Sequence, residues 1–130
     1  MKSIPYEQFD NIYAIAYNWI VRSGGRLNAI FNVLRMKHFE EWFREQDEEV
    51  QARIQMRIDH IAFDGHFGWI HYFDGIIELK WKSGLRIYTA RIGQALIVVL
   101  GGGTKHGQRK DIKKAKKLLE EVKESGLVSS

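Results

Sequence analysis

Between Ile76 and Leu100 the apolar residues fall into three short runs, broken at Ser83-Gly84 and again at Gly93-Gln94. Runs this short with glycine between them read as strands joined by tight turns. In the first, Ile77, Leu79 and Trp81 share one side by the strand period of two, and Glu78, Lys80 and Lys82 project from the other. Leu85 to Ile92 alternates in the same way, with Arg86 and Tyr88 on one side and Leu85, Ile87 and Thr89 on the other. Ala95 to Leu100 is continuously apolar, as expected of a central strand covered on both faces. Parity therefore predicts one solvent-facing hairpin surface carrying Lys80, Lys82, Arg86 and Tyr88. Long cations opposed across two strands repel one another. That local cost marks the surface as a candidate site.

Upstream, Phe9, Ile12, Tyr13, Ala16, Tyr17, Ile20 and Val21 recur at helical spacing, and Ser23-Gly24-Gly25 ends the run. The expectation is an N-terminal helical extension over residues 1–28, with an apolar stripe that packs on the core or serves self-association. Residues 28–35 read as a short strand. From 37 to 63, Phe39, Trp42, Phe43, Val50, Ile54, Ile58 and Ile61 give a helical hairpin broken at Gln46-Asp47, with Asp47 as the second N-cap. Arg53 and Arg57 are expected on its exposed face. Residues 64–74 are expected to form a loop. It brings His66 and His71 after His60, but no metal-ligand spacing is present, so no metal site and no cofactor are expected.

Gly101-Gly102-Gly103 does not continue as a phosphate-binding loop, because Gln108 follows Gly107 where such a loop has lysine. The glycines are expected to let the backbone leave the buried strand and to deliver Lys105 and His106 to the end of the sheet. A last helix over 108–123 follows. Ile112, Ala115, Leu118, Leu119 and Val122 form its inner stripe, and Lys110, Lys113, Lys114 and Lys117 face outward.

The charges are unevenly spread. From His38 to His60 there are seven acids and three bases; from Lys80 to Lys117 there are eleven bases and one acid, Asp111. A basic segment of that kind suits a polyanion, because each neutralised phosphate releases counterions. The chain's 130 residues are enough for one domain with a real core. There is no cysteine, which excludes disulfides and thiolate metal sites. No apolar run approaches the roughly 18 residues a membrane span needs. A cytoplasmic protein with no membrane contact is expected.

The runs E-L-K at 78–80, G-L-R-I-Y at 84–88, L-I-V-V-L at 96–100 and G-G-G-T-K-x-x-Q-x-K-D-I-x-K-A at 101–115, taken in order, resemble the RelE/ParE superfamily of bacterial toxins. They are most similar to its HigB-like addiction module killer branch. F-E-E-W-F at 39–43 and Q-A-R-I-x-x-R-I-D-H at 51–60 look like that branch's helical hairpin. The resemblance implies a small α+β toxin domain over 29–125. Its expected parts are an N-terminal strand, the helical hairpin, a three-stranded antiparallel sheet and a C-terminal helix, followed by a flexible tail at 126–130.

It also implies a function. Such toxins are metal-independent, ribosome-dependent endoribonucleases that cut messenger RNA and are neutralised by a cognate antitoxin, often a helix-turn-helix protein. In the cleavage the 2′-hydroxyl attacks the adjacent phosphate. Arg86 matches the arginine of the motif and is expected to hold the phosphate, with Lys105 as a second ligand. Lys80 stands where arginine is more usual and supplies charge or a base. Tyr88, His106, His71 and Lys82 stand behind them for proton transfer or stacking. Lys82, Arg91, His106, Arg109, Lys110 and Lys113 are the expected RNA contacts, and Gln108 and Asp111 match family positions. The alternatives are a ParE-like gyrase inhibitor that does no chemistry, or an inactive relative that only binds.

Overall fold

The computed structural model describes Ile12–Tyr13 and residues 29–126. Its strands are β1 (Ile12–Tyr13), β2 (Asn32–Met36), β3 (Ile70–Phe73), β4 (Ile76–Lys80), β5 (Leu85–Ile92) and β6 (Leu96–Thr104). Its helices are α1 (Lys37–Arg44), α2 (Glu48–Asp64) and α3 (Gln108–Glu124), the last entered through a 3₁₀ turn at Lys105–Gly107. The sheet runs β1-β2-β6-β5-β4-β3. All its pairings are antiparallel except β2 with β6, which is parallel.

This overturns the expected three-stranded antiparallel sheet. Residues 29–126 alone contribute five strands, and the sheet is mixed. Two physical causes account for the difference. First, β6 is apolar on both faces and sits between β5 and β2, so its second edge needs a partner that β5 cannot supply. Secondly, the expected loop at 64–74 ends in a strand. Asp74 and Gly75 both take positive φ, 50° and 81°, which is the two-residue turn that matches strand twist. It pairs Phe73 with Ile76 and Ile70 with Leu79.

The expected N-terminal helix is also corrected where it can be seen: Ile12 and Tyr13 are in strand, pairing with Met36 and Arg35. Two β-formers beside an open strand edge gain ladder hydrogen bonds there. The rest of that helix, and self-association through it, lie outside the described residues.

The helical hairpin forms as read. Asp47 caps α2 by accepting a 2.9 Å hydrogen bond from the Val50 amide. Arg57 is the exception, being half-buried rather than free. Its guanidinium donates to the carbonyls of Phe67, Trp69 and Lys80, tying the approach to β3 onto β4.

Helices cover both faces of the sheet. On one face Phe39, Ile54, Ile58 and Ile61 of α1 and α2 pack on Val33, Ile77, Leu79, Ile87, Ile97 and Val99. On the other, Ala115, Leu118, Leu119 and Val122 of α3 pack on Leu34, Ile76, Ala90, Val98 and Leu100. The hairpin side predicted to face solvent is therefore the side that α3 closes. No helix among the described residues is long and apolar enough to cross a membrane.

Candidate active site

Strand register assembles the site. Lys80 lies opposite Arg86, and Glu78 opposite Tyr88. One strand outward, His71 lies opposite Glu78, and the Lys80 amide donates to the Trp69 carbonyl at 3.0 Å. One strand inward, Tyr88 pairs with Gly101 and Arg86 with Gly103. Two parallel rows result on the α3 side: His71, Glu78, Tyr88, Gly101, and beside it Trp69, Lys80, Arg86, Gly103. A bulge sets the phase. Thr89 pairs with Val99 and Tyr88 with Gly101, so Leu100 is the extra residue on β6.

The glycine run stays inside β6, buried, rather than carrying the chain out of the sheet. Close approach is the reason these positions lack side chains. A Cβ at Gly102 would fall within the Trp42 ring, and one at Gly103 would strike the Asp111 carboxylate. The bare backbone lets the first turn of α3 sit down on the sheet, bringing Gln108 to Glu78.

Glu78 and Tyr88 are 0% exposed and Arg86 8%. Glu78 Oε2 accepts a 2.6 Å hydrogen bond from Gln108 and lies 3.9 Å from Arg86 Nε. Glu78 Oε1 is 3.7 Å from His71 Nδ1. Arg86 Nη1 donates to the Trp81 and Leu85 carbonyls at 3.0 and 2.9 Å. Burial, then the charges of Glu78 and Asp111, push the Tyr88 phenol well above its ordinary pKa, against a smaller opposing effect of Arg86. Arg86 and Tyr88 thus do not form an open surface. Arg86 is a fixed buried charge, and Tyr88 remains a neutral phenol beneath it.

The more accessible cations lie around this core. The Lys80 ammonium is 4.6 Å from the centroid of Trp69, a ring that is itself half exposed. The Lys105 stem packs over Gly84, and its amide donates to the Gly84 carbonyl at 2.8 Å. His106 is exposed in the same 3₁₀ turn. Along α3, Arg109, Lys113 and Lys116 join Gln108 and Ile112 in lining a groove of about 440 Å³. Lys116 anchors this flank to the edge hairpin through a 2.7 Å ion pair with Asp74.

Two expected RNA contacts fall elsewhere. Lys82 sits in the turn after β4 and lines a second groove, on the α2 side, with Arg53, Met56, His60, His66 and Trp81. Arg91 lies near the far end of β5, where it donates to the Gln94 carbonyl and covers the Phe31 ring. Lys110 is exposed on α3.

At the foot of the rows, His38 packs against Gly101. Burial first, and then Lys114, hold its pKa below the usual value. Burial raises that of Asp111, against the smaller pull of His38 and Lys110.

No protein-family model matches the sequence, and no solved structure matches it. An uncharacterized protein of Haemophilus influenzae is 38% identical over 88 residues, 65% of this chain and 88% of that protein. The chain belongs to that protein's family.

Three participants at the site carry little or no signal in the sequence. Trp69 gives no sequence signal, because the pattern of residues 64–74 predicts a loop rather than the strand it leads into. Glu78 does give one: a single carboxylate within an apolar run, sharing parity with Lys80. Gln108 is legible only by resemblance, since its bond to Glu78 spans thirty positions.

Proposed function

We propose that this protein is a toxin of the RelE/ParE kind that cleaves messenger RNA on the ribosome, acts in the cytoplasm and is held inactive by a cognate antitoxin. One observation carries the reading. Lys80, Arg86 and Lys105 gather at one end of the sheet, and the groove lined by Arg109, Lys113 and Lys116 runs beside them. A phosphodiester chain lying in that groove would bring its backbone to the three cations.

The reaction that suits them is transesterification. The 2′-hydroxyl oxygen attacks the neighbouring phosphorus, the bond to the 5′-oxygen breaks, and a 2′,3′-cyclic phosphate and a 5′-hydroxyl are left. Negative charge grows on the non-bridging oxygens in the transition state. Fixed cations lower that barrier because they need no reorganisation. Lys80, half-buried beside Trp69, and the exposed Lys105 are the ammoniums for direct contact. Arg86 already gives Nη1 to two carbonyls, so it acts chiefly as a positive field rather than as a bidentate fork. The departing 5′-oxygen takes a proton from the Lys105 ammonium, which recovers it from water. Gln108 and Asp111 set the first turn of α3 on the sheet.

The test is to induce the full chain in a translation extract and map messenger ends. Codon-linked cuts ending in a cyclic phosphate are expected, and the Lys80→Ala and Lys105→Ala variants should each slow cutting about a hundredfold. Intact messages throughout would refute the reading. Loss of gyrase supercoiling alongside intact messages would move it to the gyrase-inhibiting alternative.

A further inference from the structure

Glu78 is fully buried, yet Oε1, one of its two oxygens, has no hydrogen bond of good geometry among the described residues, and the buried Tyr88 hydroxyl opposite it on β5 is likewise without one. A buried carboxylate normally satisfies both oxygens, since an unpaired one keeps its desolvation penalty. Here Oε2 is held by Gln108, and Oε1 points to His71 Nδ1 across the β3–β4 ladder at 3.7 Å. The His71 side chain is 62% exposed. An orphaned buried oxygen thus faces an accessible imidazole, just beyond hydrogen-bond range. Glu78 also holds Gln108, which is a wall of the cationic groove.

His106, in the 3₁₀ turn with Lys105, has no carboxylate within ion-pair distance among the described residues to fix its tautomer, and four further candidates are poorly placed. Tyr88 is fully buried and its phenol resists ionisation. Lys80 lies against the Trp69 ring, whose face attracts a cation. His60 and His66 line the groove on the opposite side of the sheet.

The geometry points to His71 as the group that takes the proton from the attacking 2′-hydroxyl, with Glu78 as the buried residue that positions it. This inference rests on the RNA-cleaving reading. A small rotation of the exposed His71 side chain brings Nδ1–H onto Oε1. That fixes the tautomer and leaves Nε2, facing out, with the lone pair. Nε2 accepts the 2′-hydroxyl proton as the oxygen–phosphorus bond forms. The imidazolium is stabilised by Glu78 and returns its proton to water after the 5′-oxygen has left with the proton from Lys105. No oxidant, reductant or further reactant is needed.

The experiment is single-turnover cleavage of ribosome-bound message by the full chain, comparing wild type, His71→Ala, Glu78→Gln, the double variant and Lys105→Ala. His71→Ala should lower the single-turnover rate constant about a hundredfold or more with little change in the half-saturating ribosome concentration, and added imidazole should restore part of it. Glu78→Gln should lower it about tenfold or more. The double variant should be no slower than His71→Ala alone, because Glu78 acts through His71. A double variant that falls well below His71→Ala would show Glu78 to be structural only and would overturn the pairing. A second measurement stands independently of whether Glu78→Gln folds: ¹⁵N imidazole spectra of the RNA-bound wild type should show His71 in the Nδ1–H tautomer, and the Nε2–H tautomer would overturn it. Slow Lys105→Ala with full-speed His71→Ala would sink this inference and leave the cleavage reading standing. A wild type that cuts nothing would sink both.

Discussion

The two faces of this sheet are built on the same alternation and covered by the same kind of element, yet they differ in what they bury. Toward α1 and α2, strands β4 and β5 send in Ile77, Leu79, Leu85 and Ile87, all apolar apart from Thr89, whose hydroxyl bonds the Ile77 carbonyl at 2.9 Å. Toward α3 they send in Ile76, Tyr88 and Ala90, but also Glu78 and Arg86. Burying a carboxylate and a guanidinium gives little stability, since desolvation offsets most of their attraction. An apolar pair of similar volume would pack at least as well. Both faces hold the fold together; toward α1 and α2 the buried charge is Arg35 on β2, bonded to Gln55 and paired with Glu40, whereas toward α3 Glu78 and Arg86 lie on the central hairpin beside Lys80. Such groups are where chemistry is expected.

The widest gap between the faces should appear on truncating a core side chain. Leu79→Ala, on the α2 face, should cost about 2–5 kcal/mol in urea unfolding, through lost burial and the cavity left behind. Cleavage per folded molecule should hold. Activity that drops in step with stability would mean the two faces are not separable. Next comes the reverse case: Lys105→Ala should leave stability within about 0.5 kcal/mol while message cleavage falls about a hundredfold, which unfolding and extract assays measured side by side would check.

A smaller effect is expected where the faces meet in the glycine run. Gly102→Ala puts a methyl into the Trp42 ring on the α1 side and should cost about 1–3 kcal/mol. At Gly103 the obstacle is the movable end of Asp111, so an alanine there should cost less stability but disturb the first turn of α3 and with it activity. Equal costs at the two positions would erase the distinction.

The smallest effect is a pH dependence. The folded protein holds the pKa of His38 below 6.5, so the unfolded chain binds the proton more readily. Stability is then whole above that value and is lost as pH falls through the window beneath it. Melting temperatures measured from about pH 7 down to about pH 5 should fall more steeply for wild type than for His38→Gln. A parallel fall would place the sensitivity elsewhere.

Much of the fold is legible in the sequence. The ends of β5 follow from alternation and the glycine turns on either side of it. The start of α2 follows from Asp47, and the inner stripe of α3 from its spacing. What was missed had specific causes. Asp74-Gly75 is a strong hairpin signal, but aromatic and histidine residues around it suggested a loop. The three glycines suggested an exit from the sheet, because a ring and a carboxylate arriving from distant helices leave no local trace. The parallel pairing of β2 with β6 joins segments about sixty residues apart, and no local pattern encodes it.

The candidate site divides along the same line. The sequence by itself determined which side chains share a face: period two puts Glu78 with Lys80 and Arg86 with Tyr88 whatever surrounds them. Only the tertiary structure decided what that face meets. Once β2 completed the sheet and α3 settled on the bare backbone of β6, a surface expected to be open became a closed one. Glu78 and Arg86 were buried, Tyr88 was held neutral, and Lys80, Lys105 and His71 were left at the rim. Parity is a property of the chain, whereas burial depends on everything that packs against it.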